Sequence, residues 1–275
     1  MEDVPQGFKD WIKDNEERID KAAERGALPY FIRDNKGEVD RILNPDKEAK
    51  RDAGNSPHYG AAMKLGRSAT KEAMKIVENV GAPELTEVQK RNIRELADAL
   101  GLPRKEIKPM SFLDADQGAS NPTKNQSNCQ SCVVSFAARR RGLNCHAKAY
   151  DDRNPGVMFD LGERFEDAWL NPKTGKVIQP TILRGRNDDE IIAKLKRTIS
   201  QQGEYVLGIN DKDKEGHVVN IINHNGKIII HDEQAIRESD RYRDINSISN
   251  IDYLEIIRID NAIININLVK DILLF

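Results

Sequence analysis

Asn225-Gly226 lies between two runs of β-branched residues, Val218 to Ile222 and Lys227 to His231, and this arrangement constrains the fold more than any other stretch. Asn and Gly tolerate the positive φ angles of a tight hairpin turn, so the pattern predicts two antiparallel strands, His217–Ile222 and Lys227–His231. A loop spanning about Asn223 to Gly226 pairs Ile222 with Lys227. Counting outward then brings His217 opposite Asp232. Directly opposed residues on one sheet face have Cβ atoms about 4.5–5.5 Å apart, which suits a carboxylate holding an imidazole. A tighter loop shifts the register by two and sets Gln234 opposite His217 instead.

Further strand-like runs are Leu143–Tyr150, Tyr205–Ile209 and Tyr253–Ile259, and the apolar end Ile263–Phe275 suits either helix or strand. Helical spacing of apolar residues, with caps and stops, predicts helices from about Pro5 to Arg25, Ala61 to Val80, Thr86 to Gly101, Phe159 to Trp169 and Asn187 to Gln202. Helices crowd the first part of the chain and strands the last, the mark of an α+β fold. The texture changes near Pro109, which divides the chain into a charge-rich helical module (residues 1–110) and an α+β domain (residues 111–275).

With 43 Lys and Arg against 45 Asp and Glu, the net charge of −2 gives no electrostatic reason to bind nucleic acid or an anionic membrane. No run approaches the roughly 18 apolar residues of a membrane span. The start, Met1-Glu2-Asp3-Val4-Pro5, has neither the basic residues nor the apolar core of a secretory signal. Three cysteines, two of them in C-x-x-C, suit a reducing compartment rather than a disulfide scaffold.

Those two cysteines begin a short apolar helix: Ser127-Asn128-Cys129-Gln130-Ser131-Cys132 leads into Val133 to Arg141, and Gly142 closes it. A thiol at a helix N-terminus meets unpaired N–H groups and the positive end of the dipole, which favour the thiolate. Cys129 at the tip is the favoured nucleophile; Cys132, one turn deeper, is the alternative. His217 is the candidate base and Asp232 the group that orients it. Gln126, Asn128 and Gln234 are candidates for positioning and for a side-chain donor in an oxyanion hole. A zinc half-site completed by Cys145 and His146 is disfavoured, because adjacent strand residues point to opposite faces. Acyl-transfer chemistry by thiol and imidazole needs no cofactor or metal. Arg139-Arg140-Arg141 reads as the charge complement of a helix C-terminus.

The motifs Asn128-Cys129-x-x-Cys132-Val133, Arg140-Arg141-Gly142, His217-Val218-x-Asn220, Asn225-Gly226-Lys227 and Asp232-x-Gln234, in this order, resemble the papain-fold toxin family of glutamine deamidases, over about residues 120–260. The resemblance implies a papain-like domain with the triad Cys129, His217 and Asp232, which attacks a glutamine side-chain amide of a target protein. It also implies a bacterial effector or polymorphic-toxin setting, delivery into a target cytosol and an immunity protein as a further partner. Gln126 precedes Cys132 by six residues, the spacing of the oxyanion-hole glutamine and nucleophile in papain-like proteases, which keeps Cys132 in play. A cysteine protease with the same triad is the alternative activity, and a non-catalytic phage- or prophage-derived interaction module the alternative to an enzyme. The second of these draws on Val4 to Trp11 and Arg25 to Asn35, which resemble the C-terminal part of phage minor head proteins and imply a phage-particle partner.

Overall fold

The computed structural model describes residues 73–275, apart from 104–106, 117–119, 124, 126, 151–160, 162–163, 213–215 and 236–240, together with a few residues between Lys9 and Asp20. The chain forms two compact units, Met1–Pro57 and His58–Phe275. In the first, most of the described residues are helical. The expectations for Phe8, Trp11 and the phage-like segments fall largely outside the described residues, as does most of the helix expected over 61–80, of which residues 73–77 are seen as helix.

The second unit is α+β. Its centre is a six-stranded antiparallel sheet in the order β3-β8-β4-β5-β6-β7. The strands are β3 (Thr181–Leu183), β4 (Gly203–Asp211), β5 (His217–His224), β6 (Lys227–His231), β7 (Tyr242–Asp244) and β8 (Ile251–Arg258). Two small ladders flank it: β1 (His146–Ala147) with β10 (Leu273–Leu274), and β2 (Trp169–Leu170) with β9 (Ile263–Ile264). Helices α1 (Glu87–Ala99), α2 (Phe112–Asp116) and α3 (Cys129–Arg140) precede the sheet, α4 (Asp188–Thr198) is inserted within it, and α5 (Ile266–Val269) lies near the end. Among the described residues no helix is long and apolar enough to cross a membrane.

Both faces of the sheet are covered, which explains why its central strands read as nearly unbroken apolar runs rather than alternating ones. Val206, Val218 and Ile257 join Val133, Val134 and Ala137 of α3 in one core, whereas Leu207, Val219, Ile221 and Ile256 join Ile191 and Leu195 of α4 in another. Helix α3 is buried on every side; Gln130 alone among its residues is not. Gly142 ends it at φ +101°, with Gly142 N–H donating to Arg139 and Leu143 N–H to Ala138, a Schellman closure.

The three arginines at this end are not a solvent-facing charge complement, as the sequence suggests, but buried anchors. Arg139 donates to the Ala115 carbonyl at 2.6 Å and to Asn144 at 2.6 Å. Arg140 grips Glu204 of β4 through Nε (3.0 Å) and Nη2 (2.6 Å) while Nη1 reaches the carbonyl of Gly81 (2.9 Å) and that of Met110. Arg141 donates to the Ile259 carbonyl at 2.7 Å and lies over the Trp169 ring.

Helix α1 belongs to the same core: Ile93, Leu96 and Ala97 pack with α3. Its Thr86–Gln89 capping box also ties it outward, because Gln89 Nε2 donates to the Asp260 and Ala262 carbonyls, and Asn92 exchanges two 2.9 Å bonds with Ile264. The boundary expected between 110 and 111 therefore lies inside the second unit.

The hairpin turn is the tighter of the two anticipated. Asn225 (φ 53°) and Gly226 (φ 79°) form its two-residue loop, His224 pairs with Lys227, and Asn220 pairs with His231. The register expected from the longer loop, with Ile222 opposite Lys227, is thus corrected: Ile222 faces Ile229. Two positive φ values in succession match the right-handed twist of the strands, and the Asn223 side chain caps the loop by accepting from Gly226 N–H at 3.0 Å. Elsewhere the expected strand Leu143–Tyr150 shrinks to His146–Ala147, and of the helix expected from Phe159 to Trp169 the described residues are Leu161, which is helical, Arg164, and a 3₁₀ turn, Phe165–Ala168, with Trp169 already in β2. The apolar end alternates short strand, short helix and short strand.

Candidate active site

Cys129 is the first residue of α3, with Asn128 as its N-cap. The first intrahelical bond runs from Cys132 N–H to the Asn128 carbonyl at 3.0 Å. The N–H groups of Cys129, Gln130 and Ser131 precede it and have no acceptor within the helix. Cys129 is 7% exposed and Cys132 1%, so the first thiol sits at the surface of the core and the second inside it. Burial, with Glu233 and the Cys129 sulfur adding to it, holds the Cys132 thiol well above the usual range, the condition of an inert packing group. Its Sγ donates to Asn128 Oδ1 at 3.3 Å.

His217 opens β5, and its ring lies within hydrogen-bond reach of the Cys129 side chain. Its Nε2 is 3.2 Å from Asp232 Oδ2, which leaves Nδ1 for the sulfur. Thiol, imidazole and carboxylate thus form one line, with the imidazole side chain 26% exposed and the carboxylate 6%. Burial pulls the His217 pKa down, but the adjacent Asp232 carboxylate outweighs it and raises it well above its ordinary value. Burial likewise works to raise Asp232, and His217, Arg243 and the Gln234 N–H together bring it below the usual carboxylate value. Each partner thus favours the charged form of the other.

Asp232 arrives here by a different route from the one the sequence suggested. In the observed register β6 ends at His231, and residues 232–235 turn away, closed by Ala235 N–H to the Asp232 carbonyl (3.2 Å) and Gln234 N–H to Asp232 Oδ1 (3.1 Å). The carboxylate reaches His217 from the turn, not across the ladder.

Asn128 is fully buried, and its amide is committed to the scaffold: Nδ2 donates to the Lys148 carbonyl (3.0 Å), and Oδ1 accepts from Gln234 Nε2 (3.0 Å). Gln234 Nε2 also approaches the Asn125 carbonyl at 3.4 Å. Both candidate donors tie the start of α3 to the turn after β6. Gln126 lies outside the described residues.

Sequence reasoning found no partner for His231, yet beside the site it stands between two carboxylates and three aromatic rings. It is completely buried, Nε2 3.2 Å from Asp116 Oδ1 and Nδ1 3.1 Å from Glu233 Oε1, as ion-pair contacts. The Phe112 and Phe136 rings meet it edge-on and Tyr242 stacks on it. Burial works against its charge, but Glu233 and Asp116 prevail and push its pKa up to about 10. Tyr242 donates a short bond to Asp116, and Arg241 stands 3.4 Å from the same carboxylate. The signal available in the sequence was only the His-Asp-Glu-Gln run; Asp116 comes from a separate element.

A helix with a cysteine at its N-terminus, packed on an antiparallel sheet that supplies the histidine, with an aspartate from the turn after β6, defines an α+β domain of the papain-like kind. Residues 127–235, less than half of the chain, match the family model of papain fold toxin 1, glutamine deamidase. That stretch runs from the residue before the N-cap of α3 to the end of the turn after β6, so it encloses the whole thiol–imidazole–carboxylate line. Neither a curated protein nor a solved structure matches the chain significantly.

Proposed function

We propose that this protein is a thiol-dependent protein glutamine deamidase of the toxin or effector type, with Cys129 as nucleophile, His217 as acid–base and Asp232 as its orienting carboxylate. The observation that carries the reading is the convergence of a helix-tip thiol, an imidazole and a buried carboxylate inside the stretch that matches a glutamine deamidase family.

The residues divide the work as follows. His217 Nδ1 takes the Cys129 proton, and the sulfur attacks the carboxamide carbon of a target glutamine. The oxygen of the tetrahedral intermediate faces the helix start, where backbone N–H groups have no intrahelical acceptor. The imidazolium returns the proton to the departing nitrogen, and ammonia leaves a thioester. Water, deprotonated by His217, then attacks the thioester carbon; the proton returns to sulfur and glutamate is released. Asp232 keeps the ring oriented and stabilises its charged form throughout. Asn128 and Gln234 act by holding the helix start against the turn. Cys132, deep in the core with a raised pKa, supports Cys129 as the nucleophile by contrast.

The family match favours a side-chain amide over a peptide bond, and a protein target over a small metabolite. A toxin of this kind acts in a target cytosol and calls for an immunity protein in the producing cell.

Expression of the full chain with mass spectrometry of cellular proteins tests the reading. Specific glutamines of one or a few proteins convert to glutamate with no new chain ends. Cys129→Ala lowers this conversion by about 10³-fold or more, as does His217→Ala, whereas Cys132→Ala retains most of it. New termini without conversion would establish a protease instead, and loss with Cys132→Ala alone would move the nucleophile.

A further inference from the structure

We propose that Asn220 and Glu233, with His231 behind them, are positioning residues that lock the three triad-bearing elements together, so that the line from Asp232 through His217 to Cys129 forms only while this buried link is intact. The inference rests on the triad reading given above.

The three elements come from distant parts of the chain: α3 brings the thiol, the start of β5 the imidazole, and the turn after β6 the carboxylate. Asn220 is on β5, three residues beyond His217. Its Nδ2 points at the Val133 carbonyl on α3 (3.5 Å) and donates a short bond to Glu233 Oε1 in the turn. One side chain thus touches all three elements. Glu233 in turn lies 3.1 Å from His231 Nδ1, the last residue of β6.

The turn itself is held by three different anchors in succession. Asp232 meets His217, Glu233 meets Asn220 and His231, and Gln234 meets Asn128 at the cap of α3. All three residues are buried, at 4%, 7% and 4% exposure. A carboxylate taken out of water is costly unless it is paired and hydrogen-bonded, so Glu233 needs both partners. Because its side chain is fixed, the backbone of the turn is fixed, and with it the direction in which the preceding Asp232 points. His231 is itself clamped on its far side by Asp116 and framed by Phe112, Phe136 and Tyr242, with Arg241 facing the same carboxylate. This gives the link a rigid footing.

Neither Asn220 nor Glu233 touches the reacting atoms, so the test reads the state of the thiol rather than turnover. Iodoacetamide alkylation of Cys129 in the full chain is followed by peptide mapping between about pH 5 and about pH 9, a range that brackets the acid limb of thiol reactivity. Asn220→Ala and Glu233→Gln are compared with Ile230→Val, a core substitution on the opposite face of the sheet, next to α4. The wild type and Ile230→Val alkylate readily on the acid side. Both link variants lose about tenfold or more of the rate near pH 6 and converge on the wild type at alkaline pH, the behaviour of a thiol whose imidazole partner is displaced. Link variants that keep the wild-type acid limb would overturn the proposal while leaving the triad in place. A wild type whose Cys129 alkylates only at alkaline pH would overturn both.

Discussion

His231 lies between two buried carboxylates, Asp116 and Glu233, and its titration contributes to how the protein responds to pH. Folded, the imidazole keeps its proton to about pH 10, because Glu233 and Asp116 overcome the cost of burial. In the unfolded chain it releases the proton near pH 6.5. Between these values the native state holds a proton that the unfolded state has lost, so the contribution of His231 is complete below about pH 6.5 and is lost as pH rises toward 10. His217, raised for the same kind of reason, adds to that decline. On the acid side Asp116 and Asp232 are both held below their usual range, so stability also falls as they are protonated. Urea midpoints across this range therefore peak on the mildly acidic side, between about pH 4 and about pH 6.5, and His231→Gln flattens the alkaline slope; an unchanged slope in the variant would show that His231 is not charged in the fold. The residues of the proposed catalytic line were legible because each lies in a short motif with its own local signature: thiol at a helix start, histidine at a strand start, acid after a strand end. His231 was not, because its meaning depends on Asp116, which lies 115 positions earlier on a helix of its own.

Among the elements, α3 and the β5–β6 hairpin end or turn at glycines, and the two glycines face different demands. At Gly142 (φ +101°) an added Cβ would come 2.5 Å from the Lys108 backbone carbon and 2.6 Å from its nitrogen and oxygen, where nothing can swing aside. At Gly226 (φ +79°) the space around the added atom is open, and the backbone conformation alone resists. Gly142→Ala is therefore expected to cost about 3 kcal/mol or more and Gly226→Ala about 1 kcal/mol, measured as the difference in unfolding free energy from urea titrations. Equal costs would mean that the Lys108 segment yields. The Asn-Gly pair announced the hairpin but not its register, because a two-residue and a four-residue loop are equally compatible with those letters. The strand that follows is too short to show the two-residue slip through its own pattern. Ile228, Ile229 and Ile230 are apolar in either alignment, since one face of the hairpin meets α4 and the other Phe136 and its neighbours. The carboxylate still reaches the imidazole because β6 stops at His231 and the chain turns back.

For the molecule as a whole, the texture change near Pro109 does not fall where a core ends. Charged surfaces conceal what α1 contributes: its outer face is polar, while Ile93, Leu96 and Ala97 lie in the core with α3, and Gln89 and Asn92 bind the backbone of residues 260–264. Upstream of it, Ala73, Val77 and Val80 pack with Phe112, Phe136, Ile222 and Tyr242 beneath the His231 network, and Arg140 ties the Gly81 and Met110 carbonyls to Glu204 of the sheet. A single large apolar side chain removed from a core costs about 2–5 kcal/mol, against a total stability of about 5–15 kcal/mol for a typical domain. Removing residues 58–110 takes several at once and leaves Arg140 without two of its acceptors. A fragment of residues 111–275 is accordingly expected to show no cooperative thermal transition, while one of residues 58–275 melts in a single step with the alkylation behaviour of the full chain. Calorimetry on the two fragments decides between this and the alternative. A cooperative transition in the shorter one would mean that the sheet and α3 are a self-sufficient core, with α1 a clasp laid over it.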